Sequence, residues 1–142
     1  MKKYKKGYTT GVYDMFHIGH LNVIKNAKEY CDYLVVGVTT DEVSLNQKGK
    51  LPVIPYNERS EIVKAIRYVD EVVPQLGYDL DTKIEAWKKL KFDVMFVGSD
   101  WQGTDKWNEI EKKLKQYNVD VVYLPHTDGI SSTDLRRKIN KN

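Results

Sequence analysis

The sequence has one cysteine, three histidines and four prolines in its 142 residues, and it contains no long apolar run. The single thiol, Cys31, excludes an internal disulfide framework, and we expect it to be a small buried residue in a reducing compartment. A membrane span takes about 20 consecutive apolar residues, which the sequence does not offer. Its N-terminus is polar and basic, without the apolar stretch of a secretory signal. These absences predict a cytoplasmic protein with no membrane partner.

Neither sign of charge dominates the sequence. The 23 Lys and Arg residues exceed the 20 Asp and Glu residues by three, giving a formal net charge of +3. An excess this small and this evenly spread does not favour a nucleic-acid partner, although it suits an enzyme that acts on anionic substrates. The lysine runs at 2–6 and 88–91 are interpreted as solvated surface. The length suits one domain over 1–142.

Apolar, β-branched runs alternate with helical patterns along the chain. Strands are predicted at 7–13, 33–40, 69–74, 92–98 and 119–124, and helices at 18–30, 58–68, from about 82 to 91, 104–117 and about 132–139. We expect Asn57 to cap the second helix and Pro74 to end the third strand. The segment 41–56, which holds Gly49, is predicted to be a long loop. The alternation predicts an α/β fold, a Rossmann-like, doubly wound parallel sheet of five strands.

The stretch 11–20, GVYDMFHIGH, joins the first predicted strand to the first predicted helix. His17 and His20 lie three positions apart, so on a first helical turn both imidazoles share one face. A helix N-terminus offers free N–H donors and partial positive charge, and Gly19 allows a ligand to approach the backbone. In a doubly wound sheet, ligands bind beyond the carboxyl ends of the strands. The stretch therefore predicts a site for a nucleotide phosphate.

Two other interpretations of the histidines stay open. They are surface or capping residues, or they are two ligands of a zinc ion. A zinc site needs further ligands, and the third histidine, His126, lies far along the chain without an Asp or Glu pattern to complete the set. No metal site made by the protein is therefore predicted.

Two further stretches follow predicted strands. Residues 126–134, HTDGISSTD, place a glycine and hydroxyl side chains at the start of the last predicted helix. They form either a second phosphate cradle or an ordinary Ser/Thr helix cap. In the stretch 98–101, Asp100 is expected to accept from a ribose or base, or to bind a metal.

Together these stretches resemble a known family. GVYDMFHIGH is similar to the FDxxHxGH signature of the HxGH nucleotidyltransferase superfamily, and HTDGISSTD is similar to the RTEGIST segment of its cytidylyltransferases. Between them, residues 67–72, RYVDEV, resemble a segment of the same enzymes. The three segments occur in the family's order over nearly the whole chain, and the short length is similar to the bacterial members that act on glycerol 3-phosphate.

The resemblance implies transfer of CMP from CTP to a phosphorylated alcohol, with release of pyrophosphate. Glycerol 3-phosphate is the favoured acceptor, and CDP-glycerol the product. The family forms no covalent intermediate, because the acceptor phosphate attacks the α-phosphorus in line, and Mg²⁺ arrives on the CTP phosphates. Alternatives are choline, ethanolamine or other polyol phosphates as acceptors, an ATP-dependent adenylyltransferase, and a non-catalytic nucleotide-binding module.

The resemblance also implies roles for individual residues. The catalytic set is His17, His20, Lys48 and Arg67. The nucleotide-binding set is Val12, Tyr13, His17, Ile18, Gly19, His20, Lys50, Asp100, His126, Thr127, Asp128, Gly129, Ile130, Ser131, Ser132 and Thr133. The substrate-binding set is Lys48 and Lys83, and the roles of Lys48 and Lys50 are interchangeable. Arg67 either reaches the active site or pairs with Asp70 at a subunit contact, because RYVDEV lies near the dimer interface in relatives. A homodimer is implied.

The sequence departs from the family pattern at His126, where family members have Arg. Arg carries a permanent charge and a bidentate fork, whereas His near pH 7 is partly neutral. Either another cation compensates, or nucleotide affinity and substrate choice differ. Asp128 in place of Glu is a milder change.

Overall fold

The computed structural model describes residues 2–125. Within them lies one five-stranded sheet in which all strands are parallel, in the order β3-β2-β1-β4-β5. The elements are β1 (Tyr4–Gly11), α1 (Ile18–Tyr30), β2 (Cys31–Thr39), α2 (Asp41–Lys48), α3 (Tyr56–Lys64), β3 (Glu71–Gln75), α4 (Leu80–Leu90), β4 (Val94–Gly98), a 3₁₀ turn (Ser99–Trp101), α5 (Asp105–Lys115) and β5 (Asp120–Leu124). The α/β fold with five parallel strands is confirmed, and the helix predicted at 132–139 lies outside the described residues.

The core has two layers, one on each face of the sheet. Alternate residues of a strand point to opposite faces, so Leu34 and Val36 of β2 join one layer and Val35 joins the other. Helices α1 and α3 cover the first layer through Ile24 and Val63. The second layer is covered by α4 and α5, through residues such as Ile84, Ile110 and Leu114. Because both faces are covered, β2 reads as a continuous apolar run.

The order of the strands locates the ligand crevice. The chain proceeds from β1 to β2 to β3, and then crosses to β4 on the other side of β1. Strand order thus reverses beside β1, and in open sheets of this kind the crevice opens beyond the carboxyl ends of the strands at that point. The residues that follow β1, including His17 and His20, begin at this edge.

The prediction of a long loop over 41–56 was wrong, because this segment contains α2. The hydroxyl of Thr40 caps the helix by accepting the N–H of Val43 at 3.2 Å. The helix ends at Gly49, whose φ of 76° is left-handed, and the N–H of Gly49 donates to the carbonyl of Leu45 at 2.9 Å. Only Ser44 of this helix is buried, so the sequence carries no apolar stripe to reveal it.

The bounds predicted for α3 were wrong at both ends. The helix begins at Tyr56 after Pro55, not after Asn57, and it ends at Lys64. The carbonyl of Pro55 accepts the N–H groups of Glu58 and Arg59 at 3.1 and 3.0 Å, so the backbone of the proline starts the helix without a side-chain cap.

Two strand ends also differ from the prediction. Pro74 does not end β3 but lies within it, opposite Val38 of β2. It is tolerated because β3 is an edge strand of the described sheet. The first strand ends at Gly11, because Tyr13 has a left-handed φ of 55° that cannot continue a strand.

A buried arginine connects the elements around the crevice. Arg59 of α3 is 1% exposed. Its Nη1 donates to the carbonyls of Val12 and Thr39 at 2.6 and 2.8 Å, just beyond β1 and at the end of β2. Its Nε donates to the carbonyl of Ile54 at 2.8 Å, and its Nη2 donates to Asp41 Oδ1 of α2 at 2.6 Å. The side chain therefore holds two strand ends, one helix and the segment before α3 in fixed positions.

We predict that Arg59→Leu lowers the free energy of unfolding by about 3 kcal/mol, because it leaves buried carbonyls and the Asp41 carboxylate without their donor. Urea unfolding followed by circular dichroism measures the change. Lys112→Leu is the control, since Lys112 is exposed on α5, outside the elements that Arg59 connects. We expect less than about 0.5 kcal/mol for the control. A loss for Arg59→Leu no larger than for the control would contradict the role of Arg59.

Candidate nucleotide site

The two histidines form the cap of α1 and stack on each other. His17 is the N-cap residue, with extended backbone, and His20 lies one turn into the helix. The N–H of Gly19 donates to Nδ1 of His17 at 3.0 Å, and the N–H of His17 donates to Nδ1 of His20 at 3.2 Å. The two ring centroids are 3.9 Å apart with 24° between the planes. Both imidazoles therefore lie side by side at the crevice edge.

The cap determines which nitrogen faces a ligand. Because Nδ1 of each ring accepts a backbone N–H, the hydrogen of each neutral ring is on Nε2. Nε2 of His17 is buried and has no hydrogen-bond partner within residues 2–125. The N–H of Gly19, at the helix N-terminus where free donors are expected, is bonded to Nδ1 of His17. The donors that the turn offers to a phosphate are thus imidazole N–H groups rather than this backbone N–H.

Both histidines are neutral near pH 7. The pKa of His20 is lowered to about 4, mainly by burial and also by the nearby His17, while the carboxylate of Asp14 opposes the shift. Burial also lowers the pKa of His17. The pair therefore offers hydrogen-bond donors without a fixed positive charge.

The turn between β1 and α1 packs aromatic rings around His20. The ring of Tyr13 meets His20 edge-on, with centroids 5.5 Å apart, and the ring of Phe16 lies 5.2 Å from it. A Cβ at Gly11 would lie 2.8 Å from the Tyr13 ring, so glycine is needed there for this ring to fold back over the strand end. The carbonyl of Val12, a predicted nucleotide contact, is turned inward to Arg59.

Asp14, in the same turn, is a site residue to which the sequence assigned no role. It is 2% exposed, and its two oxygens accept the N–H groups of Val53 and Ile54, each at 2.8 Å. The carboxylate thereby attaches the segment that follows α2 to the histidine turn. The signal was present, since Asp14 occupies the acidic position of the signature, but sequence alone does not show which backbone groups it bonds.

Lys48 and Lys83 both contact Tyr78, which lies between β3 and α4. Nζ of Lys48, at the end of α2, is 5.8 Å from the centroid of the Tyr78 ring. Nζ of Lys83 donates to the carbonyl of Tyr78 at 2.6 Å and lies 5.2 Å from the ring of Trp107. Lys83 is 6% exposed, and its pKa is lowered to about 8, mainly by burial and also by the charge of Lys106, while Asp79 opposes the shift. The two lysines predicted to bind substrate are therefore brought together.

The remaining predicted residues are more scattered. Lys50 follows Gly49, and its carbonyl accepts the hydroxyl of Ser44 at 3.3 Å. Asp100 lies in the 3₁₀ turn after β4, and Ile18 is exposed on the first turn of α1. His126 and residues 127–133 lie outside the described residues.

Arg67 does not pair with Asp70 within the chain. Arg67 is exposed and donates to the hydroxyl of Tyr68 at 2.9 Å. Asp70 accepts instead from Nζ of Lys28 at 2.5 Å and from the N–H of Leu34 at 2.7 Å. In the described range, no three or more His, Cys, Asp or Glu side chains are grouped to hold a metal ion, and no helix is long and apolar enough to cross a membrane.

We predict that neutral His20 makes folding depend on pH. The unfolded chain protonates this ring near pH 6.5 and the folded chain only near pH 4, so the stability it contributes is complete above pH 6.5 and is lost as the pH falls toward 4. After allowance for partial exposure, the loss is about 2 kcal/mol. Urea unfolding at pH 7, 5.5 and 4 measures the effect in the wild type and in His20→Gln. Between pH 7 and pH 4, the free energy of unfolding should fall by about 2 kcal/mol less in His20→Gln than in the wild type. Equal decreases in both proteins would contradict the shifted pKa.

Comparisons with known proteins agree with this geometry. A family model described as cytidylyltransferase-like matches residues 8–138. The glycerol-3-phosphate cytidylyltransferase of Bacillus spizizenii is 39% identical over 133 residues, which are 94% of this chain and 95% of the relative. The FAD synthase of Pyrococcus horikoshii is 42% identical over 118 residues, 82% of this chain and 77% of the relative.

A crystal structure described as the lipopolysaccharide core biosynthesis protein of Thermoplasma volcanium is also similar. It superposes with a TM-score of 0.69 at 26% identity, covering 87% of this chain and 97% of that one. The sheet, the capped histidine pair and these matches over most of the chain lead to one conclusion: this protein belongs to the cytidylyltransferase-like family and is a nucleotidyltransferase.

Proposed function

We propose that the protein transfers CMP from CTP to glycerol 3-phosphate, giving CDP-glycerol and pyrophosphate. The observation that carries the proposal is the stacked pair of neutral histidines beyond the end of β1, in which each Nδ1 accepts a backbone N–H and Nε2 of His17 has no partner within residues 2–125. The choice of CTP and of a glycerol phosphate rests on the Bacillus relative, which matches nearly the whole of both chains.

The reaction needs positioned donors rather than a nucleophilic side chain. An oxygen of the acceptor phosphate forms a bond to the α-phosphorus of CTP, while the bond from that phosphorus to the pyrophosphate oxygen breaks and pyrophosphate leaves with the electron pair. Negative charge moves onto the oxygens of the departing pyrophosphate, where the Nε2–H groups of His17 and His20 donate hydrogen bonds that strengthen as the charge grows. Bringing the two phosphates together supplies the remainder of the rate enhancement.

Cationic side chains complete the proposed site. Lys50, with residues 126–133, is assigned to the nucleotide, and Lys48 and Lys83 to the acceptor; Asp100 is assigned to the nucleoside. Mg²⁺ is proposed to enter on the CTP phosphates, and no step is assigned to it, because the described residues 2–125 provide no grouped ligand set for a metal ion. A cytoplasmic location remains part of the proposal.

A second candidate is transfer of AMP from ATP to make FAD. The similarity to the Pyrococcus FAD synthase favours it, although that match covers a smaller part of both chains. The two candidates use the same histidine pair and differ in the base and in the acceptor.

We predict that the purified protein releases pyrophosphate with CTP, Mg²⁺ and glycerol 3-phosphate faster than with any other pair of substrates. The panel combines CTP or ATP with glycerol 3-phosphate, ethanolamine phosphate, choline phosphate or FMN. His17→Ala and His20→Ala should each lower kcat by about 10²-fold, the scale of losing one transition-state donor. Lys25→Ala, an exposed change on the same helix, is the matched control and should leave kcat unchanged.

Each outcome of the panel has a separate meaning. Pyrophosphate release with ATP and FMN alone would replace the proposal by the second candidate. Near-normal turnover in both alanine variants would contradict the role of the histidines, and no release with any pair would contradict both candidates.

We also propose a homodimer formed through the surface around α3 and β3. Ile62 of α3 and Arg67 are exposed there, and Arg67 begins the segment that resembles the family's dimer region. We predict that sedimentation analysis gives twice the chain mass of 16.6 kDa, and that Ile62→Asp with Arg67→Glu shifts the protein toward the monomer. Lys25→Ala should leave the mass unchanged. A wild-type protein that sediments as a monomer would contradict the dimer.

A further inference from the structure

Tyr78 carries a buried hydroxyl that has no hydrogen-bond partner among the described residues. Within residues 2–125, two buried side-chain polar atoms lack a partner, Nε2 of His17 and Oη of Tyr78. Buried polar groups are nearly always bonded in native proteins, so each exception calls for a cause. Both exceptions lie just beyond the carboxyl end of a strand, His17 after β1 and Tyr78 after β3. This is the edge of the sheet at which ligands bind.

The turn that carries Tyr78 is held by contacts with α4. Nζ of Lys83 donates to the carbonyl of Tyr78 at 2.6 Å, and the lysine is itself buried against Trp107. A Cβ at Gly77 would lie 2.6 Å from the hydroxyl oxygen of Thr82, so the backbone before Tyr78 packs directly on the first turn of α4. The backbone at Tyr78 is therefore held by these contacts, and the hydroxyl takes no part in them.

A cation lies over the same ring. Nζ of Lys48 is 5.8 Å from the ring centroid, and α2, which carries Lys48, is held through Asp41 by the buried Arg59. A lysine ammonium and a phenol hydroxyl are both suitable donors for a phosphate monoester, and bonds from charged donors to phosphate oxygens are short and strong.

The distance between the ends of β1 and β3 allows two bound substrates to approach each other. β1 and β3 are both neighbours of β2, and adjacent strands lie about 4.8 Å apart, so the two strand ends are separated by about 10 Å. A nucleotide phosphate on the histidines and an acceptor phosphate beside Tyr78 would thus approach each other above the end of β2.

We propose that Tyr78 is an acceptor-binding residue, whose hydroxyl donates a hydrogen bond to the phosphate of the phosphorylated alcohol beside Lys48. The inference rests on the proposed function, since it assigns one side of the crevice to the acceptor. Tyr78 bonds the acceptor and not the nucleotide. Its removal therefore affects the KM for the acceptor, and that effect is the same for every phosphorylated alcohol that the enzyme accepts.

Steady-state kinetics of Tyr78→Phe test the assignment. The KM for glycerol 3-phosphate should rise about 10-fold, the effect of one lost hydrogen bond to a charged group. The KM for CTP and kcat should stay within about twofold, and the melting temperature should not fall, because the variant removes a buried hydroxyl that has no partner. Tyr33→Phe is the matched control, since its hydroxyl bonds to Glu71 near the opposite end of the strands.

Calorimetry separates this inference from the proposed function, because binding of glycerol 3-phosphate to the protein needs no turnover. Weaker binding to Tyr78→Phe than to the wild type and to Tyr33→Phe supports the assignment. Equal affinity in all three proteins, or no binding to the wild type, overturns it. A lowered melting temperature with unchanged KM would make Tyr78 a structural residue instead, and a KM change confined to glycerol 3-phosphate would assign its hydroxyl to the alcohol part.

Discussion

The crevice depends on one buried guanidinium. Arg59 bonds the carbonyls just beyond β1 and at the end of β2, together with Asp41 and the segment before α3. A buried charge is stable only when its donors are satisfied, so the planar fork of the side chain requires all of these oxygens to hold their positions. Asp14 adds the reverse arrangement, a carboxylate held by two backbone N–H groups. These two charged side chains together hold the segment 48–54, which carries Lys48 and Lys50, next to the turn that carries His17 and His20.

The histidine pair performs two tasks with its two kinds of nitrogen. Nδ1 of each ring satisfies a backbone N–H at the start of α1, a task that Ser or Asp performs in most helices. Nε2 is thereby directed away from the helix. Because burial keeps the rings uncharged, the resting site carries no pair of adjacent cations that would repel each other. An anionic ligand changes that balance, since its charge favours protonation of the same rings.

Patterns that extend over several residues predicted more of the structure than the identity of single residues did. The alternation of strands and helices and the spacing of His17 and His20 predicted the sheet and the stacked pair. Helix α2 was missed because it buries a serine instead of an apolar stripe. The burial of Lys83 and Arg59 was missed for a different reason. A long charged side chain is normally solvated, and only the folded chain shows which carbonyls surround it. Asp14 is part of the signature itself, but its partners are 39 and 40 residues away along the chain.

Pro74 has a consequence for how copies of this chain meet. The carbonyl of Gln75 accepts from Thr40 beyond β2, so the neighbouring Pro74 directs its nitrogen outward, to the open side of β3. A proline there removes the donor that an added strand would need. The edge is therefore a poor template for edge-to-edge sheet growth between molecules, which is a common route to aggregation. Association at this side of the protein therefore relies on contacts between side chains rather than on backbone pairing. Side-chain contacts can select one partner, whereas backbone hydrogen bonds accept any strand.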